Sequence, residues 1–180
     1  YKIFTQEDNA QGQLDSDIGG ASLTIELQAG EGAAFPVAGN GTTTSLGDET
    51  TMNCTAINTT GVAVGDFIRN TTDGSHAYVL VVNANSLTTT ELVGGSDNTW
   101  QNADAYQFGE FIGTLNKRNA SGQITTREKV LIIARSADTL TVDAAGRGYE
   151  GDTPTPFETN DYFNLLVTSG PMKGVRKALA

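Results

Sequence analysis

Two stretches of the sequence decide the fold: Tyr78-Val-Leu-Val-Val-Asn-Ala-Asn-Ser-Leu-Thr-Thr-Thr-Glu-Leu92 and Lys129-Val-Leu-Ile-Ile-Ala-Arg-Ser-Ala-Asp-Thr-Leu-Thr-Val142. Each contains an apolar run, a short polar turn and a Thr-rich run. Each is followed by a glycine pair, a polar loop and an Asp that precedes an aromatic segment. Val, Ile and Thr favour strands, whereas Asn, Asp and Gly favour the turns between them. The sequence therefore predicts an all-β fold in which one strand-and-turn unit occurs twice.

The order of the segments indicates that one unit is inserted in a loop of the other. Leu23, Ile25 and Leu27 alternate with polar residues, as in a half-buried strand, and the chain returns to this first unit after Phe108. Each unit is predicted to be a small β-sandwich or barrel, and plain tandem order with a shared sheet is the alternative. The expected division is an N-terminal arm over 1–20, an outer unit over 21–41 plus 109–169, an inserted unit over 42–108 and a C-terminal tail over 170–180.

The composition argues against several classes of function. The formal net charge is −10, which disfavours both a nucleic-acid-binding surface and docking on an anionic membrane. No apolar run approaches the roughly 18 residues of a membrane span. The predicted partners are therefore other proteins, with no nucleic acid and no membrane.

Charge is distributed unevenly, with acidic residues near the start and Lys173, Arg176 and Lys177 near the end. This asymmetry suits a head-to-tail contact between neighbouring subunits. Apolar residues in the two arms are the predicted assembly contacts: Tyr1, Ile3, Phe4, Met172, Val175 and Leu179.

The sequence predicts no enzyme and no cofactor. The single histidine, His76, follows Ser75 directly, and neighbouring residues of a strand point to opposite faces, so the pair does not fit a nucleophilic triad. One histidine and one cysteine cannot form a zinc site. Cys54, the only cysteine, is predicted to be a buried small hydrophobe.

Two weaker possibilities concern ligands. Trp100 is a candidate for stacking on a glycan, although a loop aromatic folded over a small core is the favoured interpretation. The segments Asp97-Asn98 and Glu150-Gly-Asp152 offer oxygen ligands for calcium, but neither has EF-hand spacing. The candidate carboxylates for a glycosidase-type pair are Glu110, Glu128, Glu150, Asp152 and Asp161.

The second stretch resembles a module found in virion proteins of tailed bacteriophages. In that module a strand of the type E-x-V-x-V-T-x-x-S-G-D-T-L-T-V leads into R-G-Y-E/D-G-T and then A-G-D. The matching segments here are 128–142, 146–153 and 159–163, and 23–36 resembles the first strand and loop. This chain departs from the pattern by inserting Asp143-Ala-Ala-Gly146 before Arg147, which is expected to bulge the strand.

The resemblance implies a non-enzymatic structural subunit located in the virion. A tail-associated fibre, fibre-anchor or baseplate subunit is the first expectation, in a homo-oligomer with a trimer favoured and in contact with other virion structural proteins. A capsid decoration or cement protein on the head surface is the alternative. A carbohydrate-binding module for host-surface glycans, based on Trp100, is the second alternative.

Overall fold

The computed structural model describes residues 10–165, and nearly all of their regular structure is β. Three short 3₁₀ helices span Glu31–Ala34, Ile57–Thr59 and Tyr149–Gly151. The strands in this part of the chain are β1 Gln11–Gln13, β2 Thr24–Glu26, β3 Gly39–Thr42, β4 Thr51–Asn53, β5 Phe67–Asn70, β6 His76–Val82, β7 Ser86–Thr89, β8 Ala105–Phe108, β9 Phe111–Arg118, β10 Ile124–Ser136, β11 Thr139–Val142 and β12 Tyr162–Leu165. The predicted all-β fold is confirmed.

The strands form two compact units. One unit, here called the inserted barrel, comprises Pro36–Glu110 together with Ile133–Arg135. The other, here called the split barrel, comprises the described residues of Gln6–Phe35, Phe111–Ile132 and Ser136–Ala180. The fold therefore contains two β units, one of which is interrupted in sequence by the other.

The split barrel is a curled sheet with strand order β1-β12-β9-β10-β11-β2. A bridge between Leu14 and Leu27 joins its two end strands and closes it. Closure removes the unpaired edges that would otherwise invite aggregation. Its core consists of inward-facing apolar residues from the strands β2, β9, β10, β11 and β12 and from the segments that flank the strands, including Leu14, Ile25, Leu27, Phe35, Leu115, Val130, Ile132, Leu140, Phe157 and Phe163.

The inserted barrel is a second curled sheet, with strand order β3-β8-β5-β6-β7-β4. A bridge between Ser45 and Asn53 closes it. Its core is Met52, Cys54, Ile57, Val62, Ile68, Ala77, Val79, Leu87, Leu92, Trp100, Tyr106 and Phe108.

The two barrels have the same strand order. When the six strands of each barrel are numbered in their own chain order, both sheets run first, sixth, third, fourth, fifth, second. In both, a residue in the turn after the fourth strand accepts hydrogen bonds from the backbone beside a 3₁₀ helix. Asp138 binds the N–H groups of Gly30 and Gly32, and Asn85 binds that of Ala56. The two units are therefore related in topology and in the turn that fixes the second strand.

The sequence alignment of the two apolar runs was wrong by two residues. The two stretches quoted above begin at Tyr78 and Lys129, which places these two residues opposite each other. In the structure, however, the Thr90 N–H donates to the Tyr78 carbonyl, and at the equivalent point of the split barrel the Asp143 N–H donates to the Leu131 carbonyl. Tyr78 therefore corresponds to Leu131. Side chains alternate with a period of two, so a shift of two preserves the apolar pattern and the sequence could not detect it.

The predicted N-terminal arm over 1–20 needs correction in its described part. Strand β1 pairs with β12, and Leu14 and Ile18 are buried in the split-barrel core. The sequence missed this because β1, Gln-Gly-Gln, carries no apolar residue. The core contacts lie just after the strand, and Gly12 lies under Leu27 where a larger side chain would collide.

The segment 38–50 is rich in Gly, Thr and Asn, which is typical of a loop, but it also contains a strand, β3. Its Gly-Asn-Gly-Thr sequence lacks strand-forming side chains, but aromatic rings of β8 cover both glycines. A Cβ on Gly39 would lie 2.5 Å from the Phe108 ring, and one on Gly41 would lie 2.6 Å from the Tyr106 hydroxyl. Glycine is required here because the partner strand supplies the side chains that fill the space.

Candidate functional site

Within residues 10–165, the split barrel contains a buried ion pair between Glu128 and Arg147. Glu128 on β10 is 0% exposed, and the Arg147 side chain, in the loop after β11, is 5% exposed. Arg147 Nε donates to Glu128 Oε1 at 2.6 Å and Nη2 donates to Oε2 at 2.9 Å. This two-pronged geometry is the strongest form of an Arg–carboxylate contact.

The carboxylate and the guanidinium also make hydrogen bonds to backbone groups, and these bonds hold loops in place. The Glu128 carboxylate also accepts the N–H groups of Gly148 at 2.9 Å and Thr155 at 2.8 Å. The Arg147 guanidinium also donates to the carbonyls of Gly19, Ser22 and Thr155. Every oxygen of Glu128 is occupied by the protein itself, so this carboxylate is a structural anchor rather than one of a glycosidase pair.

The inserted barrel anchors its corresponding loop with a different carboxylate. Asp73 accepts the Ser75 hydroxyl at 2.6 Å, the Ser75 N–H at 2.8 Å and the Asn98 N–H at 3.0 Å. Burial acts to raise the pKa of Asp73, but the hydrogen bonds from Ser75, Asp97 and Asn98 outweigh it, and the pKa lies below its ordinary value. Asp73 therefore fixes the loop between β7 and β8 as a carboxylate.

The residues considered for catalysis are not assembled into a site. Ser75 is fully buried and binds Asp73, whereas His76 lies on the opposite face of β6 with its ring 5.4 Å from that of Phe67. Cys54 is buried, as predicted, and burial raises the pKa of its thiol to about 11. A thiol of this kind is a poor nucleophile at neutral pH.

The possible glycan-stacking role of Trp100 is corrected by its burial. The indole is 0% exposed and belongs to the inserted-barrel core. The favoured interpretation, a loop aromatic folded over a small core, is therefore confirmed, and the loop is held by backbone hydrogen bonds between Trp100 and both Asp48 and Gly47. No face of the ring is free to stack on a sugar.

The two candidate calcium loops are engaged with other groups. Lys129 Nζ lies 3.2 Å from Glu150 and 3.7 Å from Asp152, so a cation of the protein already neutralises this loop. Asp97 caps the N–H of Thr99, and Asn98 caps that of Gly95. Within residues 10–165, no group of three or more His, Cys, Asp or Glu side chains is placed to hold a metal ion.

Exposed apolar side chains are concentrated on the inserted barrel. Among the described residues, seven of the nine large hydrophobic side chains that are exposed belong to it, and only Leu23 and Ile124 belong to the split barrel. The densest group lies on β6 and the segment paired with it. This group, here called the β6 face, consists of the exposed side chains of Tyr78, Leu80, Val81 and Val93 and the half-buried ring of Phe67.

A β-bulge produces the β6 face. In the pairing of β6 with β7, Val79 lies opposite Thr89 but Val81 lies opposite Thr88, so one extra residue is accommodated on β6. The bulge interrupts the alternation of the strand, and the consecutive side chains Leu80 and Val81 are both about half exposed. The sequence predicted a strand here but not this exposure, since an apolar run of this length is typical of a buried strand.

Neighbouring strands complete the β6 face. Phe67 on β5 is the cross-strand partner of Tyr78, and their rings meet edge to face with centroids 5.7 Å apart. Val93 pairs with His76 through two backbone hydrogen bonds, which places it beside β6. The Tyr78 ring is thus fixed in position although it is 50% exposed.

An acidic groove lies next to the β6 face along the same segment of chain. This open groove of about 280 Å³ is lined by Glu49, Glu91, Leu92, Asp97 and Asn98. The Leu92 N–H donates to the Glu49 carbonyl and so fixes the two walls. Glu91 of the groove and Val93 of the β6 face are two residues apart on the same segment of chain.

The predicted assembly contacts lie outside the described residues. This applies to Tyr1, Ile3, Phe4, Met172, Val175 and Leu179. No protein-family model matches the chain, and no curated protein matches it. None of the helices within residues 10–165 is long and apolar enough to cross a membrane.

Proposed function

We propose that the chain is a non-enzymatic structural subunit of a bacteriophage virion, associated with the tail as a fibre, fibre-anchor or baseplate component. In this proposal it forms a homo-oligomer, with a trimer favoured, and contacts other virion proteins. The observation that carries the proposal is the contrast between the two kinds of site. Buried carboxylates bind the protein's own loops, and the prominent unused surface is apolar.

The motif that resembles phage modules supports this proposal. Glu128 and Arg147 are the charged residues at its two ends, and they join a strand to the long loop before β12. Such a pair specifies a fold and a loop conformation rather than a reaction. A motif of this type suits a module reused in particle proteins, which need rigid shapes more than reactive groups.

The exposed β6 face supports a role in assembly. Exposed apolar side chains scattered singly are normal, but contiguous ones rimmed by polar residues are typical of protein–protein contacts. Tyr78 is well suited to such a contact, because aromatic side chains supply large area at low entropic cost. The burial of Trp100 removes the residue on which the glycan-binding alternative depended.

Peptide mass spectrometry of particles purified from the organism that encodes the chain tests the proposal. The chain is expected in the particles at a fixed stoichiometry, and antibody labelling in electron micrographs is expected on the tail. The free protein is expected to have the mass of a trimer of its 18.9 kDa chain. Labelling of the head would establish the decoration alternative, and presence in the lysate but not in particles would refute a virion role.

A further inference from the structure

The β6 face and its acidic rim need a partner with apolar and basic side chains. We infer that this partner is the segment 166–180 of a second copy of the chain. The inference takes one premise from the proposed function, namely that the two contact surfaces lie on different copies of the chain. It is argued from the charge of each surface and from the position of the segment after β12.

The charge of the inserted barrel disfavours a contact between two identical faces. Residues 36–110 and 133–135 contain eight Asp or Glu and two Arg, which gives a formal charge of −6. Arg69, which lies two residues from Phe67 on β5, is already paired with Glu110 at 2.7 Å. Two copies of this surface would repel each other, because bringing like charges together at an interface is unfavourable.

The segment 166–180 has the complementary composition. It contains Lys173, Arg176 and Lys177 and no acidic residue, so it carries a formal charge of +3, whereas residues 10–165 carry −12. Met172, Val175 and Leu179 alternate with these cations and match the apolar side chains of the β6 face. The exposed Tyr78 ring also offers its π-face to a Lys or Arg.

The segment follows β12 directly, since the described chain reaches Leu165 in the split barrel. The acceptor lies on the inserted barrel and the donor leaves the split barrel, so one contact uses different surfaces on the two copies. A contact of this kind repeats from copy to copy and closes into a ring when the rotation permits. It therefore generates an oligomer from two short surfaces.

The first test is binding of a fluorescent peptide of residues 166–180 to the full-length protein, followed by anisotropy. Binding is expected, and Tyr78→Ser/Leu80→Ser is expected to weaken it about tenfold or more. Raising the salt from about 0.1 M to 1 M is expected to weaken it further, because the Debye length falls to about 3 Å. The exposed split-barrel residues supply the matched control Leu23→Ser/Ile124→Ser, which is expected to leave binding unchanged.

The second test distinguishes contacts between copies from contacts within one chain. A face variant, Tyr78→Ser/Leu80→Ser, and a segment variant, Lys173→Glu/Arg176→Glu/Lys177→Glu, are each expected to be monomeric by mass photometry. Mixed together they are expected to form a dimer, since one intact face and one intact segment remain. The Trp100 emission checks that both variants are folded.

Peptide binding that is insensitive to the face variant overturns the inference, and so does a mixture that remains monomeric. These results are independent of the particle experiment. If the chain is in particles but the peptide does not bind, the inference fails and the virion role stands. If the peptide binds but the chain is absent from particles, the contact stands and the virion role fails.

Discussion

Replacing Arg147 with Met should severely destabilise the split barrel. The substitution removes two charge-assisted hydrogen bonds to Glu128, at 2.6 and 2.9 Å, and leaves that carboxylate fully buried with only two backbone donors. Removing one partner of a buried ion pair costs about 3–5 kcal/mol. This is a large fraction of the roughly 5–15 kcal/mol that stabilises a typical domain.

Urea unfolding followed by far-UV circular dichroism measures this loss. With a slope of about 1–3 kcal/mol per M for a small domain, the expected loss lowers the midpoint by roughly 2 M. Emission from Trp100, which lies in the inserted barrel, serves as a check that this barrel is folded at the start of the titration. Arg147→Lys should lose less, because it keeps the charge but not the planar fork.

An exposed ion pair of similar length provides the matched control. Lys117 Nζ lies 2.7 Å from Glu158, but these side chains are 35% and 70% exposed. Lys117→Met should therefore cost far less stability than Arg147→Met. The large expected difference between two contacts of nearly equal length comes from the burial of the Glu128–Arg147 pair and from the additional hydrogen bonds that Arg147 makes to backbone carbonyls.

A double-mutant cycle decides whether the pair acts as one unit. Glu128→Gln/Arg147→Met should lose about 2–3 kcal/mol less than the sum of the two single losses, because the second substitution removes the charge that the first left unpaired. Additivity within about 0.5 kcal/mol would refute the anchor argument. A loss below about 1 kcal/mol for Arg147→Met alone would refute it equally.

Three further predictions concern other positions. Gly113→Ala should lower the melting temperature of the split barrel, because the added Cβ would lie 2.0 Å from the Phe163 ring. The control Gly19→Ala, whose Cβ would have nothing within 4 Å, should not lower it. Equal melting temperatures for the two variants would contradict this prediction. The pKa of Asp73 is lowered on folding, so its stabilising effect is present above the unfolded-state pKa of about 3.9 and is lost as pH falls through the folded-state value. Acid titration of stability should therefore be steeper for wild type than for Asp73→Asn, and identical profiles would exclude this contribution. Burial raises the pKa of the Cys54 thiol to about 11. Cys54 should therefore resist iodoacetamide at pH 8 in the folded protein and react with it in urea. Rapid labelling without denaturant would disprove its burial.

The sequence was sufficient to predict the all-β class and the duplication. Both depend on composition and on a period of two, which are local properties of each segment. The buried state of Cys54 followed from the same alternation. The two-residue shift between the repeats could not be found in this way, because a period of two is unchanged by a shift of two.

The remaining errors concern residues whose role is decided by a partner distant in sequence. Gln11–Gln13 and Gly39–Thr42 look like loop, and they become strands because β12 and β8 pair with them. Arg147 is separated by 19 residues from Glu128, and no local pattern indicates that the two side chains meet. The bulge that exposes Leu80 and Val81 likewise depends on pairing with β7.

The difference between the two barrels is itself an argument about function. Leu131 corresponds in the split barrel to Tyr78, yet Leu131 is half-buried, and its neighbour Lys129 is paired with Glu150 and Asp152. In the corresponding stretch of the inserted barrel, Tyr78, Leu80 and Val81 are exposed. Two barrels with one strand order thus differ on the outward side of the same strand. Covering this strand in both barrels would reduce aggregation, since exposed apolar side chains in a row promote it. An uncovered strand in only one of them is better explained by a partner that covers it, and for this reason variants of the β6 face should affect association before they affect folding.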